Sequence, residues 1–371
     1  MTIVVFFTFD ISLRIWEKSG LLSRELAIYR LLAKKYGVKF ILITYGDSKD
    51  KEIINDQNIR VLPVYEYLTY SQNKLVRILK SFSIPKLLIK EIDDFDIIKT
   101  NQLSGSWVAI LYKLNTGKPL FIRTGYDHYS FALKEKKSLL VRSFYRVLTK
   151  ASLTFSTIYS VTSNTDKAFL ISQFKFNTKK LIVHQNWVFT NVCKTEITKY
   201  DKKILLVGRL EKQKNIENII PFFTNDYSLD VVGKGSQMKH LENISEAHNH
   251  NVNFLGTVEN KELLTKYCEY KFFIQLSIYE GNPKTILEAM SAGCIVVVSN
   301  IPNNEDIVKD GINGFLISHD ENPVEKIKNI QKSHDLHLIS KNAQDYITNN
   351  HDLNLIAKKE FSILNTLLDR N

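Results

Sequence analysis

The chain has 371 residues, 44 % of them hydrophobic and 24 % charged, with only 14 glycines and 7 prolines. That is enough apolar material for two packed domains, and it excludes collagen-like, low-complexity and linker-dominated chains. The formal net charge of +11 is uneven, with +15 on residues 1–200 and −4 on residues 201–371, so the first half suits nucleic acid, an anionic membrane leaflet or a phosphorylated substrate.

Three cysteines, Cys193, Cys268 and Cys294, form no CxxC pair. The expectation is therefore neither a disulfide framework nor a zinc cluster, and a reducing, cytoplasmic compartment. The N-terminus runs into the apolar residues 3–7 with no basic region ahead of them, unlike a secretory signal. No apolar run approaches the roughly 18 residues of a membrane-spanning helix.

From the N-terminus, β-branched and aromatic runs predict strands at 2–9, 39–45, 60–64, 96–100, 120–124 and 160–162, with helices such as 23–35 and 104–114 between them. A polar stretch at 190–201 reads as a connection. Beyond it, strands at 204–207, 229–232, 252–255, 272–275, 295–298 and 314–317 alternate with five or six helices. The alternation predicts an α/β protein of two doubly wound parallel sheets, with a ligand cleft at the carboxyl ends of their strands. The expected division is an N-terminal Rossmann-like domain at 1–195, a C-terminal Rossmann-like domain at 196–345, and a C-terminal helix at 346–371 packing back toward the N-terminal domain.

Two stretches carry chemistry. In Tyr279-Glu280-Gly281-Asn282-Pro283-Lys284-Thr285-Ile286-Leu287-Glu288, Asn282 suits an N-cap and Pro283 a first helical position, so a helix is expected to run on to Gly293. Its first N–H groups and positive dipole end suit a phosphate. If the stretch were all helical, Glu280 and Glu288 would lie roughly 12 Å apart along the axis. In Val207-Gly208-Arg209-Leu210-Glu211-Lys212-Gln213-Lys214, a strand runs into a glycine turn, and Arg209 and Lys214 offer a planar fork of donors and a point charge for phosphate oxygens. Gly233 and Gly235 read as turn glycines.

These motifs, with Gly293, Gly311 and Gly314 downstream, resemble the family 4 retaining glycosyltransferases (glycosyl transferases group 1) of bacterial surface-polysaccharide type, over most of residues 201–318. The resemblance implies the GT-B fold and a nucleotide diphosphate sugar donor of UDP or GDP type, with no cofactor or metal. It implies that Glu280 contacts the donor sugar near the reacting carbon and that Glu288 binds the nucleotide ribose. Arg209 and Lys214 would hold the diphosphate and stabilise the leaving nucleotide. Gly281 and the N–H groups of Thr285 and Ile286 would meet a phosphate or the sugar, and the loop holding Val258 would meet the base. In the N-terminal half, Gly20 stands for the glycine of the family's first loop. His128, with Asp127 and Arg123 nearby, stands for a histidine that contacts acceptor or donor sugar. The acceptor would be a saccharide or a lipid-linked saccharide, as in polysaccharide or lipopolysaccharide synthesis.

Each feature has a plainer reading. Glu280 and Glu288 would be a loop acid and a solvated helix residue, Arg209 and Lys214 surface charges, and His128 a polar loop residue. Lys74, Arg77, Lys80, Lys86 and Lys90, and again Lys134, Lys136, Lys137, Arg142 and Arg146, interleave with apolar residues. Such helices commonly have one solvated face, while contact with an anionic leaflet at the inner face of the plasma membrane is the sharper reading. Competing functions are a sugar-nucleotide epimerase of GT-B fold, a non-catalytic glycosyltransferase partner and a basic nucleic-acid-binding protein. The last lacks a helix-turn-helix, zinc-finger or RNA-binding aromatic signature.

Overall fold

The computed structural model describes residues 1–176, 179–193, 198–224 and 226–369. They form two compact units, one of residues 1–185 with 357–371 and one of residues 186–356. The chain thus passes from the first unit to the second and returns.

The first unit is built on a seven-stranded parallel sheet. Its strands are β1 (Thr2–Phe6), β2 (Lys39–Thr44), β3 (Ile59–Pro63), β4 (Ile97–Thr100), β5 (Leu120–Arg123), β6 (Ile158–Val161) and β7 (Leu181–Val183), in the spatial order β3-β2-β1-β4-β5-β6-β7. The central strands are apolar on both faces because helices cover both, and Val4, Ile98 and Ile122 are fully buried. The sequence pattern omits β7, a three-residue edge strand too short to show periodicity. The order reverses between β1 and β4, which places a crevice beyond their carboxyl ends.

The second unit has a six-stranded parallel sheet of β8 (Tyr200–Val207), β9 (Ser228–Val232), β10 (Val252–Gly256), β11 (Tyr270–Gln275), β12 (Ile295–Ser299) and β13 (Phe315–Ile317), ordered β10-β9-β8-β11-β12-β13. Its switch point lies between β8 and β11.

Three expectations are corrected. The division falls at 185/186, not at 195, because residues 186–190 are bonded into the second unit: Val188 N donates to His351 O at 2.9 Å and Asn186 Nδ2 to Asn282 O at 2.6 Å. Residues 346–356 belong to the second unit for the same reason, while 357–371 belong to the first. Second, Cys193 and Cys268 form a disulfide with Cα atoms 5.8 Å apart. Their 75-residue separation hides this proximity. Cys193 precedes β8, Cys268 precedes β11, and those strands are neighbours. Cys294 is free, and burial pushes its thiol up to about 11. Third, Pro283 and not Asn282 is the N-cap of the helix Lys284–Ser291, which ends before Gly293. Glu280 therefore lies outside that helix, and the axial spacing expected for Glu280 and Glu288 does not apply.

Candidate donor site

The residues singled out in the C-terminal half gather at the carboxyl ends of β8, β9 and β11, at the switch point of the second sheet. Glycines make this possible. A side chain at Gly233, whose φ is +140°, would run into the Gly208 carbonyl, and one at Gly235 into the Leu210 backbone. The turns after β8 and β9 therefore stack directly, joined by Gly208 N to Val232 O at 3.0 Å and Leu210 N to Lys234 O at 3.1 Å. A Cβ on Gly208 would lie 3.3 Å from Lys214 Cε, so the bare glycine leaves a channel for the lysine stem.

Lys214 ends the short 3₁₀ turn Lys212–Lys214. That turn is tied to the segment after β11, with Ile278 N donating to Gln213 O at 2.9 Å and Gln213 Nε2 to Tyr279 O at 2.7 Å. The two motifs are thereby held in register. Lys214 Nζ donates to Glu280 Oε1 at 2.5 Å, with the two side chains only 10 % and 8 % exposed. Gln275 Nε2 donates to the same oxygen at 2.9 Å, and Thr285 Oγ1 donates to Gln275 Oε1 at 2.7 Å. One chain of polar contacts therefore runs from the β8 turn through Glu280 to the first turn of the helix Lys284–Ser291. A buried ion pair of this kind is held by the geometry that supplies its extra hydrogen bonds. Arg209, by contrast, is exposed, and its guanidinium makes no hydrogen bond among the described residues. It is an exposed cation in the turn after the same strand that leads to the buried, bridged one.

The remaining site residues fall as follows. Gly281 is buried beside Glu280. Glu288 is 2 % exposed, and its carboxylate accepts from Asn260 Nδ2 at 3.2 Å and from the Tyr267 hydroxyl at 3.4 Å. Ile286 N–H donates back to Pro283 O at 3.2 Å, which assigns the helix N-terminus to Lys284 and Thr285, whose N–H groups precede the first intrahelical acceptors. Val258 is half-buried in the loop between β10 and the helix Asn260–Tyr267.

The N-terminal candidates belong to the first unit. Gly20 lies in the turn that closes the helix Leu13–Lys18, its N–H donating to Glu17 O at 2.9 Å. The glycine at that sheet's switch point is Gly105, where a Cβ would come within 3.1 Å of Phe9 N. His128 and Asp127 open the helix His128–Lys134 just beyond β5. His128 is 9 % exposed, stacked on Tyr126 at 4.5 Å, and burial drives its imidazole down to about 4, so it is neutral. Asp127 is fully buried and caps the helix by accepting from Ser130 N–H at 2.6 Å. Burial pushes its carboxyl up to about 7, while the Ser130 N–H works against that shift. Arg123 closes β5 and is half-buried.

Motif reading missed Gln275, Gln213 and Gly105. A glutamine closing the run Phe272-Phe273-Ile274 was a visible signal, since a polar end to a buried strand calls for a partner. Nothing in the sequence distinguishes Gly105 from a helix-entry glycine.

The sequence profile described as "Glycosyl transferases group 1" matches residues 190–350, the stretch that contains the whole polar chain from Lys214 to Thr285. Over that stretch the chain is similar to the group 1 glycosyltransferases. Among relatives, it is 28 % identical over 303 residues to an Escherichia coli UDP-Gal:α-D-GlcNAc-diphosphoundecaprenol α-1,3-galactosyltransferase, covering 74 % of this chain and 76 % of that one. It is also 28 % identical over 151 residues to an uncharacterised 41.2 kDa protein of the Klebsiella pneumoniae cps region, a match covering 38 % of this chain and 39 % of that one. In structure it resembles Anabaena HepE solved with UDP-glucose, with a TM-score of 0.76, 17 % identity, and coverage of 99 % of this chain and 100 % of that one. The chain shares the GT-B fold of two Rossmann-like units.

Proposed function

We propose that the protein transfers a hexose-type sugar from a UDP- or GDP-type nucleotide sugar to a hydroxyl of a saccharide or lipid-linked acceptor in surface-polysaccharide synthesis, with retention at the anomeric carbon and without a metal, working in the cytoplasm against an anionic membrane surface. The observation that carries this reading is the Lys214–Glu280 ion pair at the switch point, braced by Gln275 and Thr285, with Arg209 exposed in the turn after β8. The galactosyltransferase relative, whose printed name gives a UDP-sugar donor and a diphosphoundecaprenol acceptor, supports the substrate classes.

In this reading Arg209 and Lys214 face the diphosphate, and the N–H groups of Lys284 and Thr285 add the positive end of a helix dipole. Negative charge grows on the phosphate oxygen as the anomeric C–O bond breaks, and fixed cations stabilise it without reorganising. The acceptor oxygen forms its new bond to the anomeric carbon on the same face, and its proton passes to the departing phosphate oxygen. Glu280 orients the sugar and holds Lys214 in place, so no protein nucleophile is required. Glu288 serves the ribose, Gly281 and Ile286 keep the backbone close to the sugar phosphate, and Val258 flanks the base. Gly20, His128, Asp127 and Arg123 serve the acceptor half.

Thermal-shift measurements with UDP, GDP, ADP, CMP and dTDP, each with and without EDTA, test the donor assignment. One nucleoside diphosphate is expected to raise the melting temperature equally in both conditions. Arg209→Ala, an exposed position, is expected to abolish that shift and to lower transfer about 100-fold or more with its own melting temperature unchanged. The product linkage, read by NMR, is expected to keep the donor's anomeric configuration. No shift with any nucleotide, or near-normal turnover in Arg209→Ala, would remove the assignment.

A further inference from the structure

The first unit carries an apolar surface that its own fold leaves uncovered. On the helix Leu139–Phe155, the buried stripe is Leu148, Thr149, Ser152 and Leu153. Leu140, Phe144 and Val147, spaced i, i+4, i+7 on another face, are 84 %, 48 % and 68 % exposed. On the helix Lys74–Ser81, Leu75 and Leu79 are 69 % and 70 % exposed. The two helices are neighbours through one residue: Trp107 Nε1 donates to Ser81 Oγ at 2.8 Å, and the Trp107 ring lies 6.3 Å from the Phe144 ring. Isolated exposed leucines need no explanation, but rows of them on adjacent helices do.

Charge identifies the occupant. Neither helix contains a single Asp or Glu, while Lys74 and Lys80 lie on one and Arg142, Arg146 and Lys150 on the other, Arg77 being already paired with Asp10. A second copy of this face would bring like charges together. Free nucleic acid would match the cations and leave the leucines in water. We infer that this two-helix face docks on an anionic lipid leaflet, with Leu139, Leu140 and Val147 entering the boundary between headgroups and acyl chains and the Lys and Arg side chains reaching the headgroups around them. Two helices joined through Trp107 supply apolar insertion and electrostatic attraction together, the pair of signals that stable peripheral binding requires.

The test is flotation of the full chain with phosphatidylcholine vesicles and with vesicles containing 30 mol % phosphatidylglycerol, at low and high salt, for wild type and for Leu140→Glu/Val147→Glu, two exposed positions. Wild type is expected to float with the anionic vesicles alone and to release as salt rises. The double variant is expected to lose about tenfold or more of that partition while keeping its melting temperature and nucleotide shift. Equal behaviour on both vesicle types, undiminished binding of the double variant, or a concentration-dependent dimer that the substitutions dissolve would each overturn the assignment. Because the nucleotide shift is read on the same samples, loss of vesicle binding with an intact shift would remove this face and leave the donor site standing.

Discussion

Glu280 and Lys214 show how burial changes the meaning of a charge. On an open surface the pair would contribute little, but at 8 % and 10 % side-chain exposure each partner depends on the other and on Gln275. Asp127 is the opposite case, a buried carboxyl that caps a helix yet is raised by burial to about 7. Below its ordinary value of 3.8 both folded and unfolded chains hold the proton, and the group costs nothing. Between there and about 7 only the folded chain keeps it, so stability falls as pH rises, and above that the loss is constant. Asn can cap the helix without the ionisation. Asp127→Asn is therefore expected to melt with wild type near pH 4 and roughly 2–4 °C above it at pH 8, measured by calorimetry across that range. A difference that does not change with pH would show that ionisation of Asp127 is not what limits stability there.

At the scale of elements, the donor site depends on the stacking of the β8 and β9 turns. Gly233 combines φ +140° with a Cβ position inside the Gly208 carbonyl, so Gly233→Ala must push the two turns apart. It is expected to cost more than about 2 kcal/mol and to weaken nucleotide binding with it. Gly37→Ala, at φ +66° but with nothing within 4 Å, is expected to cost about 1 kcal/mol and leave binding alone. Chemical denaturation and the nucleotide shift measured on both variants separate strain from site damage.

Elements of this kind were largely legible beforehand. Twelve of the strands lie close to where the β-branched runs placed them, because a parallel strand buried on both faces must be almost wholly apolar. Glu280, Arg209 and Lys214 were legible because glycine turns at strand ends mark close backbone approach. What stayed hidden was long-range. The Cys193–Cys268 bond, the Gln213 tie to Tyr279 and the close fit of Gly105 against Phe9 depend on which strands become neighbours, and no local pattern records that. The one-residue slip of the N-cap from Asn282 to Pro283 accompanies another long-range contact: the Asn282 carbonyl is held by Asn186, a partner 96 residues away.

At the scale of the whole molecule, the first unit is closed by a buried charge cluster. Lys99 of β4 and His184, just after β7, both bond to Glu360, one on each carboxylate oxygen, with all three side chains essentially inaccessible. Burial alone would raise the Glu360 carboxyl, yet the Lys99 ammonium and the His184 hydrogen bond hold it well below the usual carboxylate range. Burial pushes the His184 imidazole below its ordinary value, while the Glu360 carboxylate works against that shift. Glu360→Gln leaves the Lys99 ammonium buried without its counter-charge and is expected to destabilise the chain by about 3–5 kcal/mol in urea titrations followed by tryptophan fluorescence. A loss below about 1 kcal/mol would mean that the cluster is not what fastens the last helix.

The return of the chain to its first unit also fixes the timing of assembly. On the ribosome the first 185 residues emerge with Lys99 already committed to the middle of a sheet and its carboxylate not yet made. The second unit is continuous and can close on its own as it is synthesised, but the first must wait until residue 360 has left the exit tunnel. The domain begun first is the one finished last, and a nascent chain stalled anywhere before the final helix presents an open sheet with a stranded cation at its centre.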